Sequence, residues 1–185
     1  TAFSHDFAAI GPSGYWWYNA EVGTARVNDP LGTGGYNGVL KYTDDLSSYS
    51  NLQMRFCSKL DLNSVNTISL RAMIESTSLT GSQNNQLQLK LQDATEATPW
   101  TNQQTVTKDI SVTDQWVDLT FAFSDDASMA RDDVDNIVIQ FNGEGNNDAV
   151  VGYIDDIVFS FTDPNETEYT DVTFTVNTEN IEVGP

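Results

Sequence analysis

Apolar and polar side chains alternate almost one by one along this chain, and the pattern runs in short stretches. Leu52, Met54 and Phe56 interleave with Gln53, Arg55 and Cys57, and Ile68, Leu70, Ala72 and Ile74 with Ser69, Arg71 and Met73. Leu87, Leu89 and Leu91 interleave with Gln88, Lys90 and Gln92, and Val117, Leu119, Phe121 and Phe123 with Asp118, Thr120 and Ala122. Ile137, Ile139 and Phe141 interleave with Val138, Gln140 and Asn142, and Ile154, Ile157, Phe159 and Phe161 close the set around Asp155 and Asp156. A period of two is that of a strand with one face buried. Further strands are predicted over Phe3–Ala8, Thr24–Asn28, Val39–Thr43 and Thr105–Val112.

The count is about nine or ten strands. They are separated by turn-rich stretches such as 29–38, 77–85 and 142–148, which are full of Gly, Asn, Asp and Ser. Only 124–133 could hold a helical turn. Many short strands with almost no helix predict an all-β fold, a two-sheet β-sandwich, and with this number of strands a jelly roll. The pattern changes after Thr162: residues 163–185 carry six acidic residues and no basic one. Residues 1–162 are read as one module, 163–170 as a linker, and 171–185 as the start of a following domain or as an extra edge strand. The chain is therefore expected to belong to a larger modular protein.

Charge narrows the function. The 185 residues hold 8 Lys and Arg against 27 Asp and Glu, a formal charge of -19. Such a field opposes nucleic acids and anionic surfaces, which are bound by basic stripes. One cysteine, Cys57, and one histidine, His5, exclude a disulfide framework and a Cys/His zinc cluster, and leave no natural Ser-His-Asp set. No run approaches the ~18 apolar residues of a membrane span, so membrane insertion is not expected.

The aromatic residues fall into two groups. Most Phe residues sit in the alternating strands, as core. Tyr15, Trp16, Trp17 and Tyr18 follow GPSG in a segment read as a loop, and Trp100 lies in the polar loop ATPWTNQQ. An indole at a polar loop has a face to offer, and sugar rings present a flat patch of C–H groups that stacks on one. One of Trp16 and Trp17 is expected to close the end of the sandwich and the other to meet ligand. Trp100 is either a ligand contact or a loop anchor, and Trp116 is expected to be structural. The polar strand faces are rich in Gln86, Gln88, Gln92, Gln140 and Asn142, with Lys90 and Arg71. Amides both donate and accept, which suits hydroxyl-rich neutral ligands. Gln88, Gln140, Asn142 and Arg71 are the candidate polar partners.

The segments 23–43, 115–123 and 152–161 together resemble the jelly-roll carbohydrate-binding modules of families 4, 16 and 22. The ordered set runs through His5-Asp6-Phe7-Ala8, GPSGYWW, Val27-Asn28-Asp29-Pro30, Tyr36-Asn37-Gly38 and Asp155-Asp156, and covers 1–162. The tail TFTVNTENIEVGP resembles the opening strand of another module in multi-domain proteins of marine Bacteroidetes. The resemblance implies a non-catalytic domain, secreted or on the outer cell surface, that binds neutral polysaccharides. It also implies a structural Ca²⁺, with Asp155 at the position of the C-terminal ligand and Asp6 as the nearest N-terminal carboxylate; Ala8 stands where the family has Glu.

Three function classes compete. A glycan-binding module takes a neutral chain, with a β-glucan such as laminarin as the best single expectation. A glycoside hydrolase or lyase would need two carboxylates across the scissile bond. Before residue 163 the Glu residues are Glu21, Glu75, Glu96 and Glu144, and no two share one strand at alternate positions. An adhesive or structural sandwich is the third class.

Overall fold

The computed structural model describes the backbone of residues 3–5, 15–20, 22–32 and 38–165. Eleven strands are present among them: β1 (Phe3–His5), β2 (Tyr15–Ala20), β3 (Val22–Val27), β4 (Val39–Asp44), β5 (Asn51–Phe56), β6 (Thr67–Ile74), β7 (Gln86–Gln92), β8 (Gln104–Asp109), β9 (Val117–Ala122), β10 (Asn136–Phe141) and β11 (Val151–Ser160). They form two antiparallel sheets. Sheet A has the order β3-β4-β11-β6-β9, with β1 also paired to β11, and sheet B the order β2-β5-β10-β7-β8. A single helical turn, α1 (Asp126–Met129), sits between β9 and β10, its N-terminus capped by Asp125, which accepts from the Ser128 amide.

The two sheets close on the side chains that alternate inward. Leu52 and Met54, Leu70 and Ala72, Leu87 and Leu89, Phe121, Ile137 and Ile139, Ile157 and Phe159 are all buried in one cluster. Burying each of the larger ones contributes about 1.5–3 kcal/mol. Gly152 lies against the Phe141 ring so closely that a β-carbon would stand 2.5 Å from it. On β11 a bulge between Asp155 and Val158, with Asp156 at φ 51°, adds one residue to the pleat. That extra residue lets Ile154 and Ile157, three apart, both face the core.

Sheet A also buries part of its outer face. Val39, Met73 and Tyr153 form a second apolar cluster there, with Val27, Trp116 and Val151 packed around it. Met73 and Tyr153 are cross-strand partners. The connection between β3 and β4 lies against this end, where Asp29 accepts from the Trp116 indole N–H at 3.2 Å.

Three sequence expectations change. Tyr15–Tyr18 form strand β2 rather than a loop, paired with β5 from Tyr15 opposite Phe56 to Ala20 opposite Asn51. Consecutive aromatics show no alternation, yet they favour strands and the edge of β5 needs a partner. Phe161 falls beyond the end of β11 and is exposed. The strand predicted to reach Val112 ends at Asp109. Asp6, the whole GPSG segment and residues 166–185, which include the predicted following domain, lie outside the described residues. No helix among the described residues is long and apolar enough to cross a membrane.

Candidate functional site

The outer face of sheet B carries an open groove of about 720 Å³. Its floor is made by the outward positions of three adjacent strands: Asn51, Gln53 and Arg55 on β5, Val138 and Gln140 on β10, and Lys90 and Gln92 on β7. These residues share a face because they occupy the alternate positions between the buried Leu52, Met54, Ile137, Ile139, Leu89 and Leu91. Trp100 and Pro99, on the 3₁₀ turn Pro99–Asn102, stand at the β7–β8 side. Tyr49 stands on the connection before β5, and Glu144 reaches in from the connection between β10 and β11.

The floor is a hydrogen-bonded row of amides running across the strands. Gln53 donates to Asn51 at 2.9 Å and accepts from Arg55 at 2.9 Å and from Asn136 at 3.0 Å. Asn136 also donates to Gln92 at 3.1 Å, and Gln92 donates to Gln103 at 2.6 Å, beside the Trp100 turn. Lys90, itself buried, pairs with Glu144 at 2.5 Å. Gln140 is buried, and its Oε1 finds no partner among the described residues. An acceptor left open in this way is costly without a donor from outside. Trp100 is 62% exposed and Tyr49 66% exposed, so both rings offer a face to solvent at the groove.

The candidates read from sequence are distributed as follows. Trp100 and Gln140 line the groove. Trp16 and Trp17 belong to β2 in the same sheet, at register positions opposite Arg55 and Met54. Gln88 is on β7, with its side chain tucked beneath Gly143. Asn142 is buried at φ 57°, its amide and side chain bonded to Gln86, so it shapes the turn after β10 instead of facing the groove. Arg71 is placed on β6 of the opposite sheet. There it pairs with Asp155 and lies 3.1 Å from Asp156. The residues that sequence reasoning passed over are Tyr49, Asn51, Gln53, Arg55, Pro99, Gln103, Val138 and Glu144 as groove-lining groups; Lys90 and Gln92 were recognised only as members of a polar face.

The resemblance implies calcium at Asp155. Burial pushes the Asp155 carboxyl above the usual carboxylate range, opposed by the hydrogen bond from Arg71. One oxygen of Asp155 is engaged by Arg71 and the other, Oδ1, is buried with no partner among the described residues. Calcium takes about six to eight oxygens, whereas no group of three or more His, Cys, Asp or Glu among the described residues is arranged to hold a metal. The described residues alone therefore do not make a calcium centre: Arg71 holds one oxygen of Asp155, and no cluster of acidic side chains among them faces the other.

No family model matches the chain, and no curated protein matches it in sequence. Solved structures do resemble it. A family 29 carbohydrate-binding module from Piromyces equi has a TM-score of 0.55 and 14% identity over 91% of this chain and 96% of that chain. The N-terminal xylanase 10B of Clostridium thermocellum, a CBM22-1–GH10 pair complexed with xylohexaose, has a TM-score of 0.56 and 14% identity over 90% of this chain and 28% of that chain. The K1 cleaved adhesin domain of Lys-gingipain from Porphyromonas gingivalis has a TM-score of 0.53 and 13% identity over 88% of this chain and 99% of that chain. At these identities the likeness is one of fold: the chain has the β-sandwich architecture of carbohydrate-binding modules.

Proposed function

We propose that the chain is a non-catalytic carbohydrate-binding module that takes a neutral polysaccharide, best a β-glucan such as laminarin, across the groove of sheet B. The observation that carries this reading is the groove itself, an amide-floored channel with an open acceptor at Gln140 and an exposed indole at Trp100. Five strands spaced about 4.8 Å apart make a face about 19 Å wide, enough for a run of sugar rings rather than one. Amides read hydroxyls in either direction, and an aromatic face covers C–H groups without needing charge. Catalysis is disfavoured because the lining among the described residues includes one carboxylate, Glu144, already tied to Lys90, where glycoside hydrolysis uses two. Such a module acts outside the cell, as one part of a larger secreted or surface protein.

The test is isothermal titration of the whole chain with laminarin, cellohexaose, xylohexaose and an acidic polysaccharide, with reducing-sugar release measured in parallel. Saturable binding to a neutral chain without sugar release is expected. Binding to none of them, or release of reducing ends, overturns the proposal.

A further inference from the structure

The loop that carries Trp100 is held from outside the groove. Its two stems are the ends of β7 and β8, and a single segment after α1, residues 131–135, reaches both. At the β8 stem Arg131 donates to the Asn102 carbonyl and, at 2.6 Å, to Gln104 Oε1. The same guanidinium is fixed by a two-point fork to Asp133, at 2.6 and 2.9 Å. At the β7 stem Asp135 accepts from the Ala94 amide at 2.7 Å, and its amide donates to the Gln92 carbonyl at 3.1 Å. Lys59 bridges Asp135 and Asp93 at 2.9 and 2.6 Å, and Asp93 in turn accepts from the Thr95 amide at 2.8 Å. The side chain of Arg131 is only 9% exposed, while its partner Asp133 is 43% exposed, so the guanidinium is the enclosed member of the pair. The turn between the stems has little apolar anchorage of its own: none of Pro99–Asn102 is buried.

We propose that Arg131, assisted by Asp135, is a positioning residue for Trp100: it sets the angle at which the indole faces the groove without touching ligand. This rests on the reading of the groove as a glycan site. A planar guanidinium can hold Asp133 with one edge and the Asn102–Gln104 stem with the other, which a lysine ammonium cannot do in the same geometry. A ring held in its binding pose before ligand arrives loses less freedom on binding. Arg131 is not among the groove-lining residues and lies 31 positions from Trp100 in sequence, so it carries no mark of this role in the alternating pattern.

The experiment compares Arg131→Met, Arg131→Lys, Asp135→Ala, Trp100→Ala and the Arg131→Met/Trp100→Ala double variant in the whole chain. Amide hydrogen exchange without ligand is the first readout. Faster exchange over 94–103, with β10 as protected as in the parent, is expected for the Arg131 and Asp135 variants. The second readout is laminarin affinity: Arg131→Met should weaken it about tenfold, and the double variant should bind no more weakly than Trp100→Ala alone. Non-additivity of that kind marks one residue acting through the other. Unchanged exchange over 94–103 in every Arg131 and Asp135 variant, or fully additive affinity losses, overturns the proposal. Arg131→Lys keeps the charge and serves if Arg131→Met fails to fold. If the parent binds no glycan, the glycan reading fails by itself, while the exchange arm still decides whether Arg131 braces the loop.

Discussion

The guanidinium of Arg71 lies over the Trp116 ring, 4.5 Å from its centroid, and the same group faces the buried carboxylate of Asp155. One cation thus serves an aromatic face and an anion on the outer side of sheet A. Arg71→Met should lower stability by about 3 kcal/mol, toward the low end for breaking a buried pair, because the side chain keeps 18% of its exposure. Laminarin affinity should not change, since the groove is on the other sheet. Denaturant melts and titration of the same preparation check both halves.

The same arrangement predicts how the protein responds to metal removal. With Arg71 supplying the counter-charge to Asp155, EDTA should leave the melting temperature unchanged. A fall that added Ca²⁺ reverses would show that residues beyond those described complete a cation site.

Trp100 and Tyr49 should behave as surface rings. Replacing either by Ala should weaken glucan binding, about tenfold for Trp100, while the melting temperature stays within a degree or two of the parent, as for exposed positions generally. Titration and a thermal melt on each variant separate this from a core tryptophan, whose truncation costs about 3–5 kcal/mol.

Acid should act through Asp93. Hydrogen bonds from Lys59 and then Thr95 hold its carboxyl down at about 2. Its folded value lies below its unfolded value, so its contribution is complete above the usual carboxylate range and is lost as pH falls toward 2. Asp44 and Asp155 are pushed upward by burial and act in the opposite sense. The comparison that isolates Asp93 is the melting temperature of Asp93→Asn against the parent from pH 6 to pH 2. The gap should narrow through that range; a constant gap would count against the Lys59 bridge.

Packing at Gly152 gives a prediction with no bearing on ligand. A β-carbon there would press on the Phe141 ring from 2.5 to 2.8 Å, and Phe141 is fully buried against Tyr42. Gly152→Ala should lose about 1–3 kcal/mol through overpacking, read from a denaturant melt.

The strands were legible where one face of a sheet is dry and the other wet, because burial then imposes a period of two on the side chains. Ile68, Leu87, Phe121 and Ile139 were identified in that way and are buried. Alternation says that a residue points outward, and it does not say from which sheet. Arg71 and Gln140 look alike in sequence for that reason, yet they lie on opposite faces of the sandwich. Tyr49 escaped because a single aromatic in a turn has no period. β2 escaped because its aromatics are contiguous, and the turn role of Asn142 has no period to show it, because its backbone sets the left-handed turn that ends β10.

Strand β11 binds β1 and β4 along one edge and β6 along the other. Without it, sheet A would be reduced to two separate pairs, β3 with β4 and β6 with β9. A ribosome delivers β11 after every other described strand, so these strands of sheet A cannot assemble as one body while the chain is still being made up to that point. The nascent domain must wait with its apolar strand faces uncovered, a state prone to aggregation. Its many partners distant in sequence also make for slow closure. The last of the described strands is thus the timing element of sheet A.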